Sequence, residues 1–140
     1  MDKKIKKYIY IRDEGKCFHC GKKLEINQVN IDHYQPKSKD GVDDYFNLVL
    51  SCKRCNKYKG TTIPKDYREI QIKLLKKAVE DRKIMSSIPR LKYNQLVEMV
   101  EAINNIKVIN NQIVFVSEYN IFFVKNNNIY KTQKMRGDII

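Results

Sequence analysis

Cys17-Phe18-His19-Cys20 and Cys52-Lys53-Arg54-Cys55-Asn56, with Asp32-His33 between them, are the residues on which the fold turns. Each C-x-x-C turn presents two sulfurs to one ion, and four thiolates near 2.3 Å from a zinc close a tetrahedron. In a reducing compartment such pairs read as metal ligands rather than as disulfides. A Cys17, Cys20, Cys52, Cys55 site would be structural, because four thiolates leave no open coordination position. The 31 residues separating Cys20 from Cys52 exceed the spacing of a simple zinc ribbon, so a folded segment must sit between the knuckles. His19 lies inside the first knuckle. With the tetrahedron filled by sulfur, its expected place is exposed at the turn.

Around this stretch the composition sets bounds. A chain of 140 residues with 42% hydrophobic residues can bury one core, or one core with an appendage. No run of about 18 apolar residues is present, which argues against a membrane span. The basic start Met1-Asp2-Lys3-Lys4-Ile5-Lys6-Lys7 leads into no apolar signal core, which predicts an intracellular, cytoplasmic protein. The formal net charge is +12, most of it before residue 85. A solvated basic surface and a polyanionic partner, most often nucleic acid, both fit that charge.

The pattern predicts an α+β chain. A short amphipathic helix is expected over Lys4 to Arg12, with Ile5, Tyr8, Ile9 and Arg12 at helical spacing. Short strands are expected at Val29–His33 and Leu48–Leu50, and a short helix from Lys53 to Lys59 with Gly60 as its cap. Pro64 is positioned to open a longer helix striped with Tyr67, Ile70, Leu74 and Ala78. Another helix is expected over Leu91 to Asn104. Beyond it the sequence predicts strands at Ile106–Ile109, Gln112–Ser117, Ile121–Lys125 and Ile129–Thr132, broken by Asn-rich turns.

Several spaced elements together carry a resemblance: Cys17-x-x-Cys20, Asp32-His33-Tyr34-Gln35-Pro36, Asp43-Asp44-Tyr45-Phe46-Asn47-Leu48 and Cys52-Lys53-Arg54-Cys55-Asn56-x-x-Lys59-Gly60. Over roughly residues 8–62 the chain resembles the HNH endonuclease family in its four-cysteine zinc subclass. The Asp-His pair and the Cys-Asn junction also resemble the metal site of phage endonuclease VII. The resemblance implies a zinc-stapled ββα-metal core over residues 1–63. A connecting helix over 64–85 and a C-terminal helix with a small antiparallel β region over 86–140 would follow it. It also fits a bacterial or phage-encoded origin.

Carried onto this chain, the resemblance implies that His33 is the general base and that Asn47 holds the loop that orients it. Asp32 and Asn56 would ligate one catalytic divalent ion. An amide at position 56, where many family members carry His, makes this an H-N-N variant, and an oxygen donor set suits Mg²⁺ or Mn²⁺ better than zinc. Arg54, Lys57 and Lys59 could clamp phosphates, or simply form a solvated basic face. DNA is the expected substrate, cut to 5′-phosphate and 3′-hydroxyl ends. A zinc-stapled nucleic-acid-binding module without catalysis is the competing reading, since it shares the zinc and the charge but does not need Asp32, His33 and Asn56 together. The C-terminal sheet could support a homodimer, whose two-fold would match that of duplex DNA. One geometric conflict stands out: adjacent residues on a strand point to opposite faces, so Asp32 and His33 can address one ion only if the strand ends or twists there.

Overall fold

The computed structural model describes residues 2–135. Their chain divides into two compact units, one ending at Tyr67 and the other beginning at Arg68.

In the first unit, helix α1 (Lys3–Arg12) starts on Asp2, whose side chain accepts a hydrogen bond from the Lys4 amide at 2.7 Å. Tyr8 and Ile9 are buried on its inner face, where α1 packs against strand β2 (Leu48–Ser51). The helix ends in two consecutive left-handed residues, Glu14 and Gly15, at φ +56° and +64°. Its last residue, Arg12, sits on the apolar side for a polar reason. The guanidinium pairs with Asp13 at 2.9 Å and donates to the carbonyls of Tyr45 and Leu48, while Asp13 accepts from the Leu50 amide at 2.8 Å. Both side chains are almost wholly buried, at 2% and 6% exposure. A buried pair this well hydrogen-bonded fixes where α1 meets β2.

Strand β1 (Asn30–His33) pairs antiparallel with β2, and the register places Asp32 opposite Val49 and His33 opposite Leu48. Helix α2 (Lys53–Lys59) follows β2 after one residue, packs against β1 and is capped by Gly60 at φ +55°. Its N-terminal cap is Cys52, whose sulfur accepts from the Cys55 amide. Tyr8, Ile9, Leu24, Val29, Leu48 and Leu50 form the apolar core together with Cys17 and Cys52.

The second unit begins one residue into α3 (Tyr67–Glu80). The helix begins three residues beyond Pro64, because Pro64 instead closes a turn in which its carbonyl accepts from the Tyr67 amide at 3.1 Å. Leu74 and Ala78 of the stripe are buried, Tyr67 and Ile70 only partly, and Leu75, Val79 and Gln71 are buried beside them. Strand β3 (Met85–Ser86) and helix α4 (Tyr93–Glu101) come next. The helix stops at Glu101 rather than Asn104, and Ile103 already pairs with Ser117. Asparagine is a poor helix former, so ladder hydrogen bonds win residues 103–105 for strand β4 (Ile103–Ile109).

Strands β5 (Gln112–Ser117), β6 (Asn120–Lys125) and β7 (Asn128–Lys134) continue an antiparallel meander, and the sheet order is β3-β7-β6-β5-β4. The β3–β7 contact is parallel, a long-range pairing absent from the sequence expectation of a purely antiparallel region. Asn110-Asn111 and Asn126-Asn127 make two-residue turns with φ from +51° to +63°, the mirror-image turn that matches strand twist. Both faces of β5 and β6 are apolar: Val114 pairs with Phe123 on one and Phe115 with Phe122 on the other. No helix among the described residues is long and apolar enough to cross a membrane.

Candidate functional site

Four sulfurs, those of Cys17, Cys20, Cys52 and Cys55, lie within 4.8 Å of one another. Zn–S bonds near 2.3 Å require sulfur separations of about 3.8 Å in a tetrahedron, and Cys20 and Cys52 already stand 4.0 Å apart. An all-sulfur donor set of this size fits zinc. The first knuckle is built by short backbone bonds: Cys17 donates to Lys22 O at 2.9 Å and Gly21 donates to Cys17 O at 2.8 Å. Phe18 then donates to Leu50 O at 2.8 Å, which ties the knuckle to β2. Close packing splits the thiols. Burial raises Cys17, but backbone hydrogen bonds at Cys52, Cys20 and His19 outweigh it and hold that thiol at about 6. The side-chain hydrogen bond with Cys52, with burial, pushes Cys55 up to about 12. A bound cation would hold all four as thiolates.

Asp32 and His33 part company as the strand rule requires, meeting different partners. Asp32 is buried, and each of its oxygens has a donor: His19 Nε2 at 3.0 Å from Oδ2 and Lys59 Nζ at 3.3 Å from Oδ1. Lys59 also donates to the His33 carbonyl at 3.0 Å, and its side chain is only 9% exposed. Its ammonium is turned inward onto Asp32. Arg54 and Lys57 are exposed. Asn56 is half-buried on α2, and among the described residues its side chain joins none of these hydrogen bonds.

His33 ends β1 with its ring partly open to solvent, and its Nε2 lies 2.7 Å from Asp43 Oδ1. Lys37 holds the other Asp43 oxygen at 3.3 Å. The His33 hydrogen bond chiefly, with help from Lys37, keeps the Asp43 carboxyl below its usual value against a small burial penalty. The segment carrying both residues is clamped by Asn47, which is wholly buried. Asn47 Oδ1 accepts from the Gln35 amide at 2.8 Å, and Nδ2 donates to Gln35 O at 3.0 Å and Val42 O at 2.9 Å. Gly41 closes the same loop by close approach: a Cβ there would fall 1.8 Å from Gln35 O. Two partners at the site escaped the sequence reading. Asp43 stood in the recognised motif without a role, and His19, exposed at the turn as expected, was not expected to meet Asp32.

Beside Asp32 a cavity of about 1430 Å³ opens, lined by Lys22, Lys53, Arg54 and Lys57, by the almost fully exposed Tyr58, and by the Asp32 partners His19 and Lys59. Its positive lining suits a phosphodiester chain.

Residues 17–62 match the HNH endonuclease family model. The match spans about a third of the chain, suggests nuclease activity and implies a nucleic-acid substrate. With the four-cysteine cluster it fits a zinc HNH type. No curated protein matches the chain.

Proposed function

We propose that the first unit is a metal-dependent DNA endonuclease core of the ββα-metal type, in which β1, β2 and α2 hold the reacting groups. The observation that supports it best is the last step of β1. A buried carboxylate with a cation against it is followed at once by an imidazole open to solvent on one side and held by a carboxylate on the other.

His33 is the general base in this reading. A carboxylate offers only acceptors, so the nitrogen facing Asp43 carries the proton and Nδ1 presents the lone pair. Nδ1 takes a proton from water, and the resulting imidazolium is stabilised by Asp43. Asn47 keeps His33 and Asp43 in register by holding Gln35 to Val42. Asp32, with Asn56 in the H-N-N manner of endonuclease VII, would hold the divalent ion, Mg²⁺ or Mn²⁺ by its oxygen donors. A buried carboxylate already compensated by an ammonium fits a cation at that position. Once bound, the ion supplies Lewis-acid stabilisation of charge on the phosphate and on the leaving 3′-oxygen. Arg54 and Lys57 contact backbone phosphates. The expected homodimer has no support among the described residues.

Supercoiled plasmid incubated with zinc-loaded protein and added Mg²⁺ or Mn²⁺ tests the proposal. Nicking that needs the added ion and falls about 10²–10⁴-fold in His33→Ala is expected. Plasmid that is bound but never cut would favour a zinc-stapled binding module instead.

A further inference from the structure

We propose that His19, the residue inside the first zinc knuckle, is a positioning residue that sets the Asp32 carboxylate for the catalytic ion. The proposal rests on the assignment of Asp32 as a ligand of that ion. Two contacts fix the imidazole, and the knuckle holds its backbone. Its Nε2 lies 3.0 Å from Asp32 Oδ2. Its ring stacks on Tyr34, with centroids 5.9 Å apart and planes within 4°. Its backbone is held between Cys17 and Cys20, in a knuckle whose Phe18 amide bonds to Leu50 O. Tyr34 is itself held on several sides. It is 4% exposed, its hydroxyl donates to Asp66 at 2.6 Å, and Phe18 packs edge-on at 5.7 Å.

A carboxylate with a fixed donor on one oxygen has lost its rotation about the Cβ–Cγ bond. It meets an incoming cation with the other oxygen already aimed, so less ordering entropy is lost on binding. Lys59 on Oδ1, the last residue of α2, is the donor that an incoming cation would displace. In this proposal His19 on Oδ2 is the donor that stays, held by the ring stack on Tyr34 and by its place between Cys17 and Cys20. The zinc knuckle thereby does more than join two chain segments: it carries the group that aims the reactive carboxylate. Polar partners of this kind, one bond removed from a metal, typically change its affinity by about 10–100-fold when deleted.

Mn²⁺ titration of the full zinc-loaded chain, followed by loss of the free-ion EPR signal, is the test. His19→Ala should weaken Mn²⁺ binding about 10–100-fold with zinc content unchanged, and His19→Gln, which keeps an N–H donor, should recover most of it. If His19→Ala releases zinc, His19→Phe keeps the stack on Tyr34 without a donor and should show the same weakening. Binding lost in Asp32→Asn but intact in the alanine and phenylalanine variants overturns this proposal alone. Binding unaltered in Asp32→Asn overturns the ligand assignment, and this proposal with it. A nitrogen coupling to bound Mn²⁺ in pulsed EPR that disappears in His19→Gln would make His19 a direct ligand, and would overturn the positioning role.

Discussion

The two units solve the same problem by different means. Residues from Arg68 onward build a five-stranded sheet whose middle strands are apolar on both faces, so position is set by ladder hydrogen bonds and packing. The first unit has one hairpin of four-residue strands, which in isolation is too small to hold itself together. It compensates with the buried Arg12–Asp13 pair, the buried Asn47 and the partly exposed cysteine cluster. The contrast shows where chemistry can be housed. A sheet core excludes water and charge, whereas a metal- and clamp-held segment already keeps carboxylates, imidazoles and amides at fixed places inside it.

Zinc removal should separate the units most sharply. In Cys52→Ser, or after stripping the metal, amide exchange protection should vanish across residues 2–67 and persist in β4 to β7. Metal binding and folding are one process in such segments, with apparent zinc affinities on the order of 10 kcal/mol or more. Protection lost together in both units would erase the distinction.

A smaller loss is expected from Arg12→Ala. It strands the Asp13 carboxylate in a site with 6% exposure, and breaking a buried pair in this way typically costs about 3–5 kcal/mol. Chemical denaturation followed by exchange should place that loss in the first unit. Equal weakening of β5 and β6 would contradict it.

The smallest effect concerns Asp43, whose side chain is 65% exposed. Its carboxyl is held low in the folded chain, chiefly by His33. The resulting stabilisation is complete above the ordinary carboxylate value of about 3.9 and disappears as pH falls through the lowered folded value. Solvent screening keeps it below about 1 kcal/mol. Asp43→Asn should flatten that acid limb of the stability profile. An unchanged acid limb would show that the contact with His33 adds no stability.

Local elements were legible in the sequence because local chemistry decides them. Helix α2 has the boundaries that Cys52 and Gly60 predict, and the Asn-Asn pairs mark two hairpin turns. The cysteine spacing announced the sulfur cluster. What escaped is what joins distant positions. His19 reaches Asp32 across 13 residues, Lys59 reaches it across 27, and Arg12 reaches Leu48 across 36. Each is a polar side chain whose spacing allowed a solvent-facing or merely amphipathic role, and only the closed hairpin supplies its partner. The parallel β3–β7 pairing is hidden for the same reason, since two residues carry no periodicity.

Gly41 has a consequence for how this chain can change over generations. A single methyl there would collide with Gln35 O at 1.8 Å, inside the loop that carries Asp43 to His33. Lys39 nearby is exposed and can drift with little penalty, whereas Asp40, exposed but at φ +67°, favours Asp, Asn or Gly. Position 41 cannot take any other residue unless the loop is rebuilt. A descendant sequence that keeps Asp32, His33 and all four cysteines but replaces this glycine would carry an intact-looking motif with its histidine and carboxylate out of reach of each other.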